Sequence, residues 1–483
     1  MYFRLERTAD AALYRQVAEK IESLIVSGAI SRGTRLPTTR SLAKALGVSR
    51  ATVIQAYDLL RASGLTDASR GRGTFVSYTR RDAEDVGRGD PRDRVAERAL
   101  SKAARSVADV PARAVNLDVG DRIKLHTLNP HIDGISLERF VECLGETAGS
   151  GTALWEYGAT EGYLPLREFI SDRLVERDLG APPGRVILVA GALHGLSIVA
   201  ETLIDEGDVV AVEEPCYQPV VRCFLRRGAA VVPVPVTAEG LDLDALRRVI
   251  SRRRPKLVVV TPTHQNPTGA IMPIERRREL AELAARTRTI IVEDGFTDEL
   301  SHSGHLLPPV AAFDKGGRAI YISGFSKTFL PAVRIGWVYS PKWLTEHLSR
   351  TLECSQIYTS PVIQAAMYRF CERGYFDHHL RRIRATYEEK CQAMHASLRE
   401  HLPACSIAGS GGGLSLWVTL GVRLDHSAPL RARDRGVLYG PGPSFYRGPG
   451  GFDKMRLSFS AESPERIVRG IRLLGELVRE VST

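Results

Sequence analysis

What the chain lacks narrows it first. No apolar run reaches the length of a membrane-spanning helix; the closest, Val186 to Ile204, is interrupted by Gly191, His194, Gly195 and Ser197. The first residues, Met1-Tyr2-Phe3-Arg4-Leu5-Glu6-Arg7, hold neither the apolar core nor the cleavage site of a secretory leader. A cytoplasmic protein with no membrane association is therefore expected. Cysteine is scarce: seven residues, an odd number, scattered without a Cys-x-x-Cys pair. That spacing argues against a disulfide framework and offers no zinc site, so no metal is expected.

What is present is the composition of a soluble globular protein. Of 483 residues, 43% are hydrophobic and 25% charged, and the length calls for two or three domains. The net charge of +10 is uneven. Residues 1–80 hold 13 Lys and Arg against 6 Asp and Glu, leaving only +3 for the remaining 403. Positive charge concentrated in a small N-terminal segment is the electrostatic footprint of a nucleic-acid module.

Within that segment Leu13, Val17, Ile21, Leu24 and Ile25 recur at helical spacing, predicting a helix over 11–27. Gly28 and Gly33 break it. A second helix starts at Leu36-Pro37-Thr38, capped by Thr38 or Thr39 and burying Leu42, Ala43 and Leu46. After the turn Gly47-Val48-Ser49, Ser49 can cap a third helix, 50–62, whose buried face is Val53, Ala56, Tyr57 and Leu60. Arg70-Gly71-Arg72-Gly73-Thr74-Phe75-Val76 reads as the tip and return strand of a hairpin. Three helices and a basic hairpin describe a winged helix-turn-helix, with the third helix entering the major groove of double-stranded DNA. Ser49, Arg50 and Thr52 sit where that helix meets DNA, Arg40 can anchor a phosphate, and Arg72 can reach a groove or the backbone. The strings Leu-Pro-Thr-x-Arg-x-Leu-Ala, Gly-Val-Ser-Arg-x-Thr-Val and Gly-x-Gly-Thr-Phe-Val closely resemble a GntR-type DNA-binding domain. Three segments are expected: the winged helix at 11–78, a charged linker at 79–113, and a large domain at 114–483.

The large domain alternates helical patterns with short apolar runs: Val186-Ile187-Leu188-Val189, Val209-Val210-Ala211-Val212, Leu257-Val258-Val259-Val260, Thr289-Ile290-Ile291-Val292 and Ala319-Ile320-Tyr321-Ile322. Such runs predict a mostly parallel sheet covered on both faces, with ligands at the carboxyl ends of its strands. Polar residues follow these strands. Gly191-Ala192 opens a helix and can cradle a phosphate. Tyr217 can stack on a planar ring. Asn266, in Asn266-Pro267-Thr268-Gly269, can donate to a ring oxygen. Asp294 can pair with a protonated ring nitrogen. Lys327, in Ser323-Gly324-Phe325-Ser326-Lys327-Thr328, can hold an aldehyde as a Schiff base, with Arg334 seven residues on. Taken singly, each has an ordinary structural explanation: a surface lysine, a core tyrosine, a turn asparagine, a capping aspartate.

In this order the residues resemble the cofactor site of fold-type I pyridoxal-phosphate enzymes, the aspartate aminotransferase-like group. With the N-terminal module, the chain resembles a MocR/GabR-type regulator of the GntR superfamily. The resemblance implies pyridoxal 5'-phosphate bound covalently to Lys327, its ring nitrogen on Asp294, its ring oxygen on Asn266 and its face on Tyr217. It places the phosphate on Gly191, Ala192, Ser326 and Arg334, with Tyr157 reaching across from a partner subunit, and a substrate carboxylate on Arg456. It also implies a homodimer and a smaller α+β C-terminal subdomain. Two positions depart from the pattern. Phe296 stands where the family usually has a tyrosine that donates to the ring oxygen, a loss of about 1.5–3 kcal/mol if unreplaced. Gly324 stands three residues before the lysine, where Ser or Thr is usual, with Ser323 beside it. The expected function is a transcriptional regulator that senses an amine or amino acid, or the cofactor itself. The alternative is a working aminotransferase with an accessory DNA-binding domain.

Overall fold

The computed structural model describes residues 13–26, 30, 34–62, 65–69, 73–76, 101–104, 121–409 and 411–482. The chain divides into two compact units, residues 1–101 with 424–434, and residues 102–423 with 435–483. Most of the charged linker expected at 79–113, and Arg72 at the hairpin tip, lie outside the described residues.

The N-terminal unit holds three helices, α1 (Leu13–Val26), α2 (Thr39–Leu46) and α3 (Arg50–Ala62), and a hairpin of β1 (Thr66–Ser69) and β2 (Gly73–Val76). Val17, Ile21, Leu42, Val53, Ala56 and Leu60 meet in its core, as their spacing requires. The Thr38 side chain accepts the Ser41 amide at 3.2 Å and starts α2. Gly47, at φ 63°, ends it in the left-handed conformation that glycine adopts without steric cost. Ser49 Oγ accepts the Thr52 amide at 3.1 Å and caps α3. Burial raises the Tyr57 phenol above its ordinary range, and its hydroxyl donates to Pro37 O at 2.7 Å, tying α3 to the entry of α2.

The second unit is built on an eight-stranded sheet of β4 (Val186–Val189), β5 (Val209–Glu214), β6 (Ala230–Thr237), β7 (Gly240–Leu241), β8 (Leu257–Val260), β9 (Ile290–Asp294), β10 (Ala319–Gly324) and β11 (Gly336–Tyr339). The order is β4-β11-β10-β9-β8-β5-β6-β7. Strands β6, β5, β8, β9 and β10 run parallel, whereas β11 is antiparallel to both of its neighbours and β7 to β6. The Val/Ile/Leu runs are buried on both faces, so the alternation of a half-exposed strand is missing from β4, β8 and β9. A second sheet orders β12 (Ser406–Ala408), β13 (Ser415–Thr419), β15 (Lys454–Ser458), β14 (Val437–Pro441) and β3 (Ile123–Leu125). Its edge strand β3 precedes the large sheet in sequence and pairs parallel to β14. The C-terminal subdomain therefore borrows a strand from the start of the large domain.

Three backbones meet at the carboxyl end of β10. Gly324 pairs with Gly336 across β10 and β11, and a Cβ on Gly324 would lie 2.9 Å from Gly336 Cα and 3.0 Å from Ile335 O. A Cβ on Gly336 would lie 2.7 Å from Gly191 Cα. Gly324 is therefore a packing requirement here, which explains its departure from the hydroxyl residue usual at this position. Gly324→Ser, although it restores the commoner residue, is expected to destabilise the large unit by about 1–3 kcal/mol through overpacking. A lower thermal midpoint together with weaker cofactor retention checks this; unchanged stability with tighter retention would contradict it.

Candidate functional site

The site lies at the carboxyl ends of β4, β5, β8, β9 and β10. Asp294 ends β9 opposite Ile322 of β10, and the Gly295 amide donates to Ile322 O at 2.8 Å. Lys327 follows at once, in the single helical turn Phe325–Thr328. Two buried rings hold that turn: Phe325 packs on Trp337 and Phe376, and Phe329 on Phe370 at 4.7 Å. His379 fixes its end, with Nε2 3.0 Å from Thr328 O and Nδ1 2.8 Å from Ser136 Oγ. Burial pushes this imidazole down to about 4, so it acts as a neutral hydrogen-bonding wedge near pH 7. The half-buried Lys327 Nζ donates to Leu128 O at 2.7 Å.

Beside it, Gly191 caps the helix Ala192–Leu203 at φ 95°. A Cβ there would stand 3.0 Å from Arg334 Nη2, so only glycine admits the guanidinium. Arg334 donates to Ala190 O at 2.5 Å and lies 3.5 Å from Ser326 Oγ. His194 Nδ1 accepts the Ala190 amide at 3.1 Å and steadies the same turn. A helix N-terminus, a hydroxyl and a guanidinium thus converge, a donor set suited to a phosphate.

On the other side Arg456 of β15 is buried, its guanidinium over the Phe445 ring at 4.9 Å. It donates to Asn266 Oδ1 at 2.8 Å and to His126 O at 2.7 Å. This bond joins residues 190 positions apart and engages the Asn266 oxygen, leaving its amide NH2 as the donor. Tyr217 stands half-buried just before the helix Gln218–Leu225, in the loop after β5. Phe296 lines a narrow pocket with Leu128, His264, Gln265 and Asn266.

The electrostatics centre on Asp294. Its carboxyl is buried, and Oδ1 has no hydrogen-bond partner among the described residues. Burial first, then the negative charge of Asp298, push it up to about 7 against a backbone amide that stabilises the anion. Behind it, Arg177 donates to Asp298 at 2.6 Å, to Tyr321 Oη at 2.8 Å and to Leu307 O at 3.0 Å. A carboxylate oxygen without a protein partner, an amine on the next strand end and an anion cradle fit pyridoxal phosphate: a ring-nitrogen cation would complete Asp294.

The structure thus brings together Asp294, Lys327, Ser326, Arg334, Gly191 and Ala192, and separately joins Asn266 to Arg456. It leaves Tyr157 at the surface, 83% exposed and touching the Tyr358 ring. In the N-terminal unit Arg40, Ser49 and Arg50 are exposed, and Thr52 is half-buried with its hydroxyl 2.8 Å from Ser49 Oγ. Sequence reasoning missed His379 and His194, whose roles depend on distant partners, and the carbonyls of Leu128 and His126, which have no side-chain signal. It also missed Arg35, which packs at the base of the wing: a Cβ on Gly73 would stand 2.7 Å from Arg35 Nε.

The raised carboxyls have a consequence for pH. Between the ordinary carboxylate range and about pH 7, native Asp294 keeps a proton that the unfolded chain releases. Glu293, pushed up to about 7, and Glu213, pushed up to about 8, act in the same direction. These three carboxyls contribute stability to the cofactor-free protein that is lost as pH rises from about 4 to 8, while the buried His379 and His264, pushed down to about 4, act in the opposite direction below the ordinary histidine range. Thermal unfolding of wild type beside Asp294→Asn isolates the Asp294 share: the wild-type midpoint should fall relative to that of the variant as pH rises across this window, and bound cofactor should remove the difference. A difference that does not change with pH would contradict it.

Comparison with known proteins gives the family. Residues 123–472 match the family model for aminotransferase class I and II, and residues 13–76 match that for bacterial regulatory proteins of the gntR family. The chain is 34% identical over 446 residues to the probable rhizopine catabolism regulatory protein MocR of Rhizobium meliloti, covering 90% of this chain and 88% of that protein. It is 31% identical to the HTH-type transcriptional regulator TauR of Rhodobacter capsulatus, covering 99% of each. Among solved structures it superposes on the α-aminoadipate aminotransferase LysN of Thermus thermophilus, bound to N-(5'-phosphopyridoxyl)-L-leucine, with a TM-score of 0.73 and 26% identity over 80% of this chain and 98% of that one. No helix among the described residues is long and apolar enough to cross a membrane. A gntR-family winged helix joined in one chain to a pyridoxal-phosphate-dependent aminotransferase-class domain places this protein among the MocR-type DNA-binding transcriptional regulators.

Proposed function

We propose that this regulator senses an amine or amino acid at Lys327 and works as a cytoplasmic homodimer. The observation that carries the reading is the 2.7 Å bond from Lys327 Nζ to Leu128 O. Residues 126–129 follow β3 of the second sheet, while Lys327 belongs to the first. Arg456 holds the same segment through His126 O, and Ser460 Oγ donates to Asn129 O at 2.5 Å. The cofactor, when bound, supplies an aldehyde carbon for which Lys327 and an incoming amine compete. Displaced, Lys327 is free to make the Leu128 contact; engaged, it gives that contact up. Occupancy by the effector thereby changes how the two sheets are tied.

The remaining assignments belong to the same reading. Asp294 receives the ring nitrogen, Asn266 donates to the ring oxygen and Tyr217 covers the ring. Gly191, Ala192, Ser326 and Arg334 hold the phosphate. Arg456, a planar fork already set by two acceptors, grips an effector carboxylate. Arg40, Ser49, Arg50 and Thr52 meet DNA, and so does Arg72, which lies outside the described residues. Ile132, Ile135, Val141, Trp155 and Tyr157 are exposed apolar or aromatic side chains within one stretch, which supports a partner subunit covering it and receiving Tyr157. Phe296 cannot donate to the ring oxygen, which favours sensing over rapid turnover.

Two variants test the reading. Lys327→Ala should keep DNA affinity within about threefold, near the ~0.6 kcal/mol of thermal energy, yet lose the amine-dependent change in it and the covalent cofactor absorbance. Arg50→Ala should weaken specific DNA binding by about 1–3 kcal/mol and leave that absorbance intact. Full turnover of an amino donor with an oxo acid would make the chain a working aminotransferase. DNA binding that answers to cofactor without any amine would make the cofactor itself the effector.

A further inference from the structure

The strands that carry the cofactor residues at their carboxyl ends have a second edge, at their amino ends. Register places Leu257 beside Ile290, and Ile291 beside Ala319. Immediately before these strands the chain runs Arg252-Arg253-Arg254-Pro255-Lys256, Arg286-Thr287-Arg288-Thr289 and Lys315-Gly316-Gly317-Arg318. Strands about 4.8 Å apart bring the three basic turns within about 10 Å of one another. Arg252, Arg253, Arg254, Arg288 and Lys315 are exposed, and Arg318 is half-buried with its guanidinium 3.3 Å from Arg288 O. None of these six forms an ion pair among the described residues, although their neighbours Lys256 and Arg286 do, with Asp208 and Glu282.

Two observations set this edge apart from an ordinary solvated surface. Residues 81–483 carry a net charge of only +3, and although the turn before the neighbouring β5, Asp205-Glu206-Gly207-Asp208, is acidic, Asp208 pairs with Lys256 and Glu206 with Lys102, so the six cations stay unpaired beside it. The helices Leu243–Arg253 and Ile274–Thr287 also both end on an arginine in the left-handed conformation, Arg254 at φ 45° and Arg288 at φ 59°, where glycine is the unstrained choice. A cation at a helix C-terminus is favourable, which accounts for one charge at each end. It does not account for Arg252 and Arg253 in addition, nor for Lys315 and Arg318, which cap no helix.

We infer that this edge is a second nucleic-acid surface, holding the phosphate backbone of duplex DNA that flanks the sequence bound by the winged helix. Exposed arginines and a lysine without acidic partners suit backbone phosphates and carry no base-reading geometry. The aminotransferase-class unit then adds affinity and salt dependence to DNA binding, while sequence choice stays with the N-terminal unit.

The test uses the full-length, cofactor-loaded protein and two duplexes. One is trimmed to the footprint of the site it selects; the other is the same site with flanking sequence on both sides. Wild-type protein should bind the long duplex more tightly and with a steeper salt dependence. Arg252→Glu with Arg253→Glu should weaken long-duplex binding on the order of tenfold or more at 150 mM salt and lower the log–log salt slope by roughly 0.9 per lost phosphate contact. Short-duplex affinity and cofactor absorbance should not change. Lys315→Glu, on a separate turn, should shift the long-duplex slope in the same direction, so the result does not depend on how one variant folds. Equal affinity and slope on both duplexes would overturn the inference. So would equal losses on both, which would place the effect in the N-terminal unit; failure of the wild type to bind the short duplex would instead count against the winged-helix assignment.

Discussion

The site depends on a contact in which no side chain takes part. Gly324, Gly336 and Gly191 let the ends of β10, β11 and β4 approach until a single Cβ would collide with backbone. Because they do, the turn bearing Lys327, the loop bearing Arg334 and the N-terminus of the helix Ala192–Leu203 meet at one place. A phosphate cradle made of backbone amides needs that proximity, since main-chain donors cannot be extended by choosing a longer residue. The glycine three residues before Lys327, where a hydroxyl residue is usual, is thus the condition for the cradle.

Upon that contact rests an electrostatic arrangement with little slack. Asp294, Glu293 and Glu213 are buried carboxyls pushed toward neutrality, while Asp298 is held by Arg177. Burying a charge without a partner is costly, so a protein acid here takes its proton or a cation. Arg177 and Arg277 do not supply that cation to Asp294. Their donors are spent on Asp298, Tyr321 and the carbonyls of Leu307, Pro308, Pro262 and Met272, where they fix the loops behind the site. Asp294 Oδ1, without a hydrogen-bond partner among the described residues, is thereby left for a cation that enters the site.

Much of this was legible in the sequence, and the parts that were not share a cause. Val53, Ala56, Tyr57 and Leu60 show their helix through local period, and Asp294 and Lys327 show their site through position after apolar runs. Ile123-Lys124-Leu125 is too short to announce a strand, and its partner Val437–Tyr439 lies more than 300 residues away. The Arg456–Asn266 bond, the His379 wedge and the basic edge from Arg252 to Arg318 arise from topology that brings distant residues together. The acceptors on Leu128 and His126 are carbonyls, identical in every residue and therefore silent. At Gly324 the missing hydroxyl side chain is visible in sequence, whereas the opposing backbone that requires a glycine is not.

The same carbonyls decide how a binding event here could be felt elsewhere. A hydrogen bond from a charged donor contributes about 1.5–3 kcal/mol, and Lys327 and Arg456 each direct one to residues 126–129. An effector that recruits either donor changes the hold on that segment by a similar amount. A difference of 1–3 kcal/mol between two states shifts their ratio 5- to 150-fold, the usual range of allosteric coupling. In the regulator proposed above, the lysine's two destinations differ in which sheet they bind together, and that difference is what an effector must have in order to shift a conformational equilibrium.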